Sequence, residues 1–366
     1  MSQSKLMLER LTLSGFKTIR ELDALELGPM NVLIGPNGAG KSNLLMFFRM
    51  LSQMNGDPGN LQFFVARAGG ANTLLHKGAA VTEDIRARLW FTGQDPAEYT
   101  FRLSYAAQDT LVFGMEALAA SQKGPVQLGS GHRESKLMDF SEFLSYIERG
   151  IHRVLGDYLV HQFHNTSETA RIRQRWSVSD SLVLKEDGAN LAPFLLRIRE
   201  QHPAHYRRIT ETLRQIAPFF ADFELVPEND TVLLRWRELG SDLLFGPHQA
   251  SDGTLRAMAL VALLMQPTDE LPSIIILDEP ELGLHPRAIS ILAGLLQTAA
   301  LHTQVIAATQ SPVLLDHFEP EQVIVAEREG SESVFRRLDR FKLEAWLEEY
   351  TLSDLWDKNV LGGRPR

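Results

Sequence analysis

The stretch from Asn31 to Leu51, NVLIGPNGAGKSNLLMFFRML, limits what this chain can fold into more than any other. An apolar run, Val32 to Ile34, leads into a loop carrying Gly35, Gly38 and Gly40, and Leu44, Leu45, Phe47, Phe48 and Leu51 then recur at helical spacing. Strand, glycine-rich loop and helix follow in that order, with Lys41 and Ser42 directly after Gly40, which fits G-x-x-x-x-G-K-[ST]. Glycines let backbone N–H groups wrap a polyphosphate at the start of a helix, where unpaired amides and the helix dipole favour negative charge. The expected contacts are Gly35, Pro36, Asn37, Gly38, Ala39, Gly40, Lys41, Ser42 and Asn43. Lys41 would neutralise β/γ-phosphate charge, and Ser42 would offer its hydroxyl to Mg²⁺. A glycine-rich turn without a ligand is the other reading of the same residues.

The remainder of the chain narrows the chemistry. With no cysteine among 366 residues, disulfides and thiolate metal sites are excluded, leaving carboxylates, amides, hydroxyls and histidines. The N-terminus lacks the apolar core of a signal peptide, and no run reaches the roughly 18 apolar residues of a membrane span, so a cytoplasmic protein without membrane contact is expected. A net charge of −9 argues against a surface that is basic all over. DNA contact would need local patches, for which Arg171, Arg173 and Arg175, then Arg197, Arg199, Arg207 and Arg208, are the candidates; a solvated helix face is the alternative.

In chain order, two strand-like segments between Lys5 and Leu27 precede the loop, and IRARLWF, YTFRLSYA and TLVFGMEAL after it read as an antiparallel meander. Ser121 to Ser135, polar and glycine-rich, reads as an exposed loop. Helical periodicity from Phe140 to Leu155 and from Leu191 to Phe220 brackets the apolar stretch YLVHQFH, and no sustained heptads suggest a long coiled coil. From Phe223 short apolar strands alternate with helices, the pattern of a mainly parallel, buried sheet. The expected class is α/β in two lobes. Residues 1–115 form a lobe with the phosphate loop and the meander, 116–222 a helical insertion, and 223–366 a second lobe ending in helices.

Two further runs carry chemistry. Ile274 to Leu277 precede Asp278 and Glu279, and a carboxylate at the end of such a strand is where a P-loop protein holds Mg²⁺. Asp278 takes that role. Because successive side chains of an extended chain point opposite ways, Glu279 can face an attacking water and is the candidate general base. Ser251, Asp252 and Gly253 open an apolar helix, either as an anion site or as an ordinary N-cap.

In this order the phosphate loop, a long insertion, S-D-G-T before a helix, L-D-E-P-E-L-G-L-H-P and A-T-Q-S-P resemble the stand-alone, AAA-type ATPases of the ABC superfamily grouped with RecF, SMC and OLD-type proteins. The resemblance extends over most of the chain, from LSGFKTIREL to DKNVLGGRP. It implies an ABC-type P-loop ATPase head that binds ATP with Mg²⁺ and forms a head-to-tail homodimer on ATP binding. Ser251, Asp252 and Gly253 of one subunit would then contact the γ-phosphate held by Lys41 of the other. Gln310 falls at the switch position, where many relatives have a histidine; it can orient a water or the γ-phosphate but cannot gain a charge. Ala250 stands in place of the usual leucine before S-D-G-T. In HQFHNTSE, His164 or Asn165 falls about where relatives place the glutamine loop, while a His161/His164 metal site competes with two partly buried histidines. His285 would line the dimer seam or cap the next helix.

Two function classes follow. One is a Mg²⁺-dependent ATPase that closes around two ATP molecules and opens after hydrolysis, by analogy within a DNA-maintenance or anti-phage assembly. The other is an ATP-set switch with little turnover that regulates a separate effector protein, a nuclease or toxin, since no nuclease-like acidic cluster follows Arg340. A transport ATPase is a weaker third reading.

Overall fold

The computed structural model describes residues 6–54, 59–93, 96–120, 123–137 and 146–362. Two six-stranded sheets organise it. The first is antiparallel throughout and runs Ile19–Glu26, Met7–Phe16, Asp84–Thr92, Ala97–Ala106, Thr110–Ala120, Lys123–Gly129. Its members alternate buried and solvated residues, as in Asp84–Thr92, because only one face meets the core.

The second sheet runs Glu332–Arg337, Val323–Glu329, Met30–Ile34, Gln304–Thr309, Ile274–Asp278, Val160–His161. All its pairings are parallel except the hairpin between Val323–Glu329 and Glu332–Arg337. Its central strands are buried without interruption because both faces are covered. Val32, Ile34, Ile275, Leu277, Val305 and Ala307 pack into one core with the helices Leu191–Gln201, Pro203–Ile216, Asp252–Leu264 and Pro286–Ala300. Leu33, Ile274, Ile276, Ile306 and Ala308 point the other way, into a core shared with the helix Lys41–Met54 and the antiparallel sheet. Phe47 of that helix touches both Phe16 and Phe101 of the antiparallel sheet, at centroid distances of 5.7 and 6.5 Å. The phosphate-loop helix is thus clamped between the two sheets.

Three features depart from the sequence reading. The segment expected as a loop at Ser121 to Ser135 contains the edge strand Lys123–Gly129, which pairs through its backbone while residues 124 to 127 stay exposed. Its polar composition hides it because an edge strand with solvated side chains needs no apolar alternation. The expected boundary at residue 115 therefore falls inside Thr110–Ala120, and the segment 116–222 supplies a strand to each six-stranded sheet. The helical run expected from Leu191 to Phe220, punctuated by its prolines, divides at His202, where Pro203 starts a second helix, and stops short of Phe220, which opens the strand Phe220–Phe223. Part of the helix expected from Phe140 lies outside the described residues; Tyr146–Gly156 is helical.

Candidate nucleotide site

Parallel strands end at one edge of a sheet, and here that edge gathers the functional residues. Met30–Ile34 delivers the phosphate loop, Gln304–Thr309 delivers Gln310, Ile274–Asp278 delivers Asp278 and Glu279, and Val160–His161 delivers Gln162.

The loop is held from several sides. Gly38 and Gly40 take left-handed φ values of 80° and 106°. A Cβ on Gly40 would overlap Ser333 Oγ, and one on Gly38 would meet no atom within 4 Å, so the loop's tip faces open space. Arg328 donates to Gly38 O at 3.2 Å. Lys41 is buried and donates from Nζ to Gly35 O at 2.5 Å and to Pro36 O at 3.2 Å. Burial pushes its pKa down, opposed by the nearby Glu279, Asp278 and Glu281 carboxylates. Ser42 is exposed at the first turn of the helix. Asn43, expected among the ligand contacts, spends its side-chain amide on Thr18 Oγ1 at 2.6 Å, and Thr18 in turn bonds Ser333 Oγ at 2.6 Å. Its side chain therefore braces the loop against neighbouring segments.

Opposite the loop, burial raises the Asp278 pKa, Glu279 adds to that effect, and His164, Lys41 and Arg49 oppose it. Gln162 donates to Asp278 Oδ2 at 3.1 Å. His164 lies 3.2 Å through Nδ1 from the Gln162 amide and 3.0 Å through Nε2 from Asp278 O, a geometry that fits the tautomer protonated at Nε2. Its Nε2 is also 3.9 Å from Glu279 Oε2. Asn165 Oδ1 instead accepts from Ser167 within its own loop. The residue that reaches the Asp278 carboxylate is thus Gln162, which the sequence reading passed over; its signal was the same as that of Asp278, a polar side chain where a short apolar strand ends.

Glu279 arrives by another route than side-chain alternation. The strand stops at Asp278, Glu279 adopts a left-handed φ of 45°, and its N–H donates to Ala308 O at 2.7 Å. That turn brings its Oε1 to the side-chain amide of Gln310. Behind them sits Glu281, buried, with Oε1 accepting from Thr309 Oγ1 at 2.5 Å and from Gln310 N at 3.4 Å, while burial raises its pKa.

The donor set at this edge suits a hard divalent cation: the Ser42 hydroxyl and an Asp278 carboxylate are oxygen ligands, and Mg²⁺ commonly takes one or two carboxylates plus substrate phosphates. Of the two histidines, His164 serves Asp278 as described, whereas His161 is buried and its pKa is pushed down to about 4 by burial. His285 caps the helix Pro286–Ala300, accepting from Arg287 N at 3.4 Å.

Ser251 and Asp252 are exposed at the start of Asp252–Leu264. Ser251 accepts from Thr254 N at 3.2 Å, and Asp252 Oδ1 pairs with Arg173 at 3.1 Å. Gly253 packs so closely on Gly283 O that a Cβ would overlap it. Several of the candidate arginines are engaged within the fold. Arg173 and Arg197 are buried, the former on Thr166 O, Pro247 O and Asp252, the latter on Glu270 and Ser181 O. Arg171 pairs with Asp187, Arg175 with Glu228, and Arg199 donates to Leu225 O, while Arg207 and Arg208 remain exposed.

Known proteins match this arrangement. A family model described as "AAA domain, putative AbiEii toxin, Type IV TA system" matches residues 30–316. An "OLD nuclease" from Thermus scotoductus is 24% identical over 96% of this chain and 68% of its own length. Among solved structures, an SMC head bound to the C-winged helix domain of ScpA superposes with a TM-score of 0.64 at 16% identity, over 92% of this chain and 99% of its own. The SMC head with an extended coiled coil, bound to the C-terminal domain of ScpA derived from Pyrococcus furiosus, gives 0.60 at 14% identity, over 94% and 99%. At these identities the two structures establish the fold. Among the described residues no helix is long and apolar enough to cross a membrane.

Proposed function

The chain belongs to this AAA-domain family and is an ABC-type P-loop ATPase, and from that premise we propose that it is a Mg²⁺-dependent enzyme that dimerises head-to-tail around two ATP molecules and opens after hydrolysis. The observation that carries this reading is the convergence of Lys41, Gln162, Asp278, Glu279 and Gln310 at one sheet edge. Lys41 would exchange its loop carbonyls for the β- and γ-phosphates. Ser42 and Asp278 would hold Mg²⁺, which supplies charge neutralisation on the phosphates. Glu279 would accept the proton of the attacking water, and Gln310 would fix that carboxylate by hydrogen bonding. Ser251 and Asp252 lie exposed with Gly253 half-buried beside them, and the three would close on the γ-phosphate of a second copy, completing a site that one chain leaves open.

Glu279→Gln tests the reading. The variant should bind ATP, lose about 100-fold or more of turnover, and run as a dimer in ATP. Turnover equal to the parent would remove Glu279 as the base. Lys41→Ala should abolish nucleotide binding and ATP-driven dimerisation together, and a variant that still dimerises with ATP would break the shared-site account.

The similarity to a protein named as a nuclease and the family's toxin description favour a cytoplasmic assembly concerned with DNA maintenance or anti-phage defence. The second reading is an ATP-set switch acting on a separate effector. Rates measured with and without DNA divide the two: a substantial DNA-independent rate in the lone chain favours the enzyme over the switch.

A further inference from the structure

Glu281 is a carboxylate without an evident reason to be buried. It is 9% exposed, lies three residues past Asp278, and among the described residues no hydrogen-bond partner meets its Oε2. Such a group costs stability unless its surroundings use it. Its Oε1 gathers the end of the neighbouring strand: Thr309 Oγ1 donates to it at 2.5 Å, and Gln310 N approaches at 3.4 Å. Thr309 Oγ1 also accepts from Ser311 N at 2.9 Å, so Thr309, Gln310 and Ser311 all hang, directly or through one hydroxyl, on this carboxylate oxygen. Gln310 then turns its side-chain amide to Glu279 Oε1. Glu279 and Glu281 belong to one short turn, since Leu282 N donates to Glu279 O at 3.2 Å and Leu284 N to Glu281 O at 3.0 Å. The result is a closed loop of contacts from Glu279 through the turn to Glu281, across to Gln310, and back to Glu279.

We propose that Glu281 is a positioning residue: it holds the Thr309 hydroxyl and the Gln310 backbone N–H so that the Gln310 amide holds the Glu279 carboxylate in the direction of the attacking water. This rests on the ATPase reading above. It adds that the direction of the base is set from behind by a second, buried carboxylate. A glutamine at 281 keeps an acceptor oxygen of the same shape, whereas an alanine releases Thr309 and Gln310 together.

The test compares Glu281→Ala, Glu281→Gln, Gln310→Ala and the double variant Glu281→Ala/Gln310→Ala in the full chain, reading kcat, KM for ATP, and binding of a fluorescent ATP analogue. Glu281→Ala should lower kcat on the order of 100-fold, as expected when a reacting group is displaced by about 1 Å, with analogue affinity within about threefold. Glu281→Gln should recover most of that loss. The double variant should be no worse than the poorer single one, because both changes act through the same amide. Multiplying losses, an alanine variant with parental kcat, or a loss that falls on analogue binding instead of kcat would each overturn the proposal. Should Glu281→Ala fail to fold, Thr309→Val keeps the carboxylate but removes the hydroxyl that joins it to Ser311 N, and must show the same kcat-specific loss, or the proposal fails. The parent and Glu279→Gln measured alongside keep the two questions apart: a parent that turns over ATP as slowly as Glu279→Gln overturns the enzyme reading and this role with it, whereas a normal parent with unaffected Glu281 variants overturns this role alone.

Discussion

Gln162 donates its side-chain amide to Asp278 Oδ2 at 3.1 Å across the edge of the core sheet. Asp278 ends one strand and Gln162 follows its parallel neighbour, the two paired through Ile276 with Val160 and Leu277 with His161, so their meeting is fixed by register and needs no loop closure. The same Gln162 amide lies 3.2 Å from His164 Nδ1, and His164 reaches the Asp278 carbonyl. Asp278 is thus oriented from both its carboxylate and its backbone.

Gln162→Ala removes the carboxylate side of that orientation without replacing a proposed metal ligand. Residues that support a metal ligand contribute about 10- to 100-fold to metal affinity. The Mg²⁺ concentration giving half-maximal turnover should therefore rise by about tenfold, with saturating Mg²⁺ restoring much of the rate. A Mg²⁺ titration of ATP turnover checks this; an unchanged midpoint would show that Gln162 does not support the metal.

Gly40→Ala addresses the loop's geometry. The residue sits at φ 106°, and a Cβ there would overlap the side chain of Ser333, whose hydroxyl belongs to the Thr18–Asn43 seam. Backbone strain of this kind costs on the order of 1–3 kcal/mol, and the steric overlap adds to it. Urea unfolding of the variant should show a stability loss of at least about 1 kcal/mol together with weakened nucleotide binding. Ser333→Gly in the same chain should recover part of the loss by relieving the overlap, leaving the φ strain.

How much of this was legible depended on where each signal is stored. The strand, loop and helix around Lys41 and the carboxylate ending Ile274–Asp278 were legible because their signals are local, glycines at fixed offsets and an acid at the end of an apolar run, whereas the left-handed turn that places Glu279 was not. The two-sided core sheet followed from strands such as Gln304–Thr309, whose six residues are all buried. Gln162 was missed because its partner lies 116 residues away. The strand Lys123–Gly129 was missed because its pairing is carried by backbone. Arg173 shows the converse error. In sequence RIRQR looks like a basic patch, yet the middle arginine is buried against carbonyls of Thr166 and Pro247 and the carboxylate of Asp252, and only the fold brings those acceptors to it.

His161 carries a pH dependence of its own. It ends the edge strand of the core sheet, buried, and burial lowers its pKa from 6.5 to about 4. Between those two values the unfolded chain binds a proton that the folded chain refuses, so stability falls as pH drops from about 6.5 towards 4, by up to about 1.4 kcal/mol per pH unit for one full proton. Above 6.5 both states are neutral and this contribution is fully present. His161→Gln cannot titrate, so its stability should lack this component whatever the substitution costs at neutral pH. Urea midpoints measured for both proteins at intervals from pH 7.5 to 4 isolate the effect: the difference between parent and variant should shift steadily in the variant's favour below pH 6.5 and stay constant above it. A constant difference across the whole range would mean that His161 protonates equally well in the folded protein, and that the edge strand opens to solvent at its end.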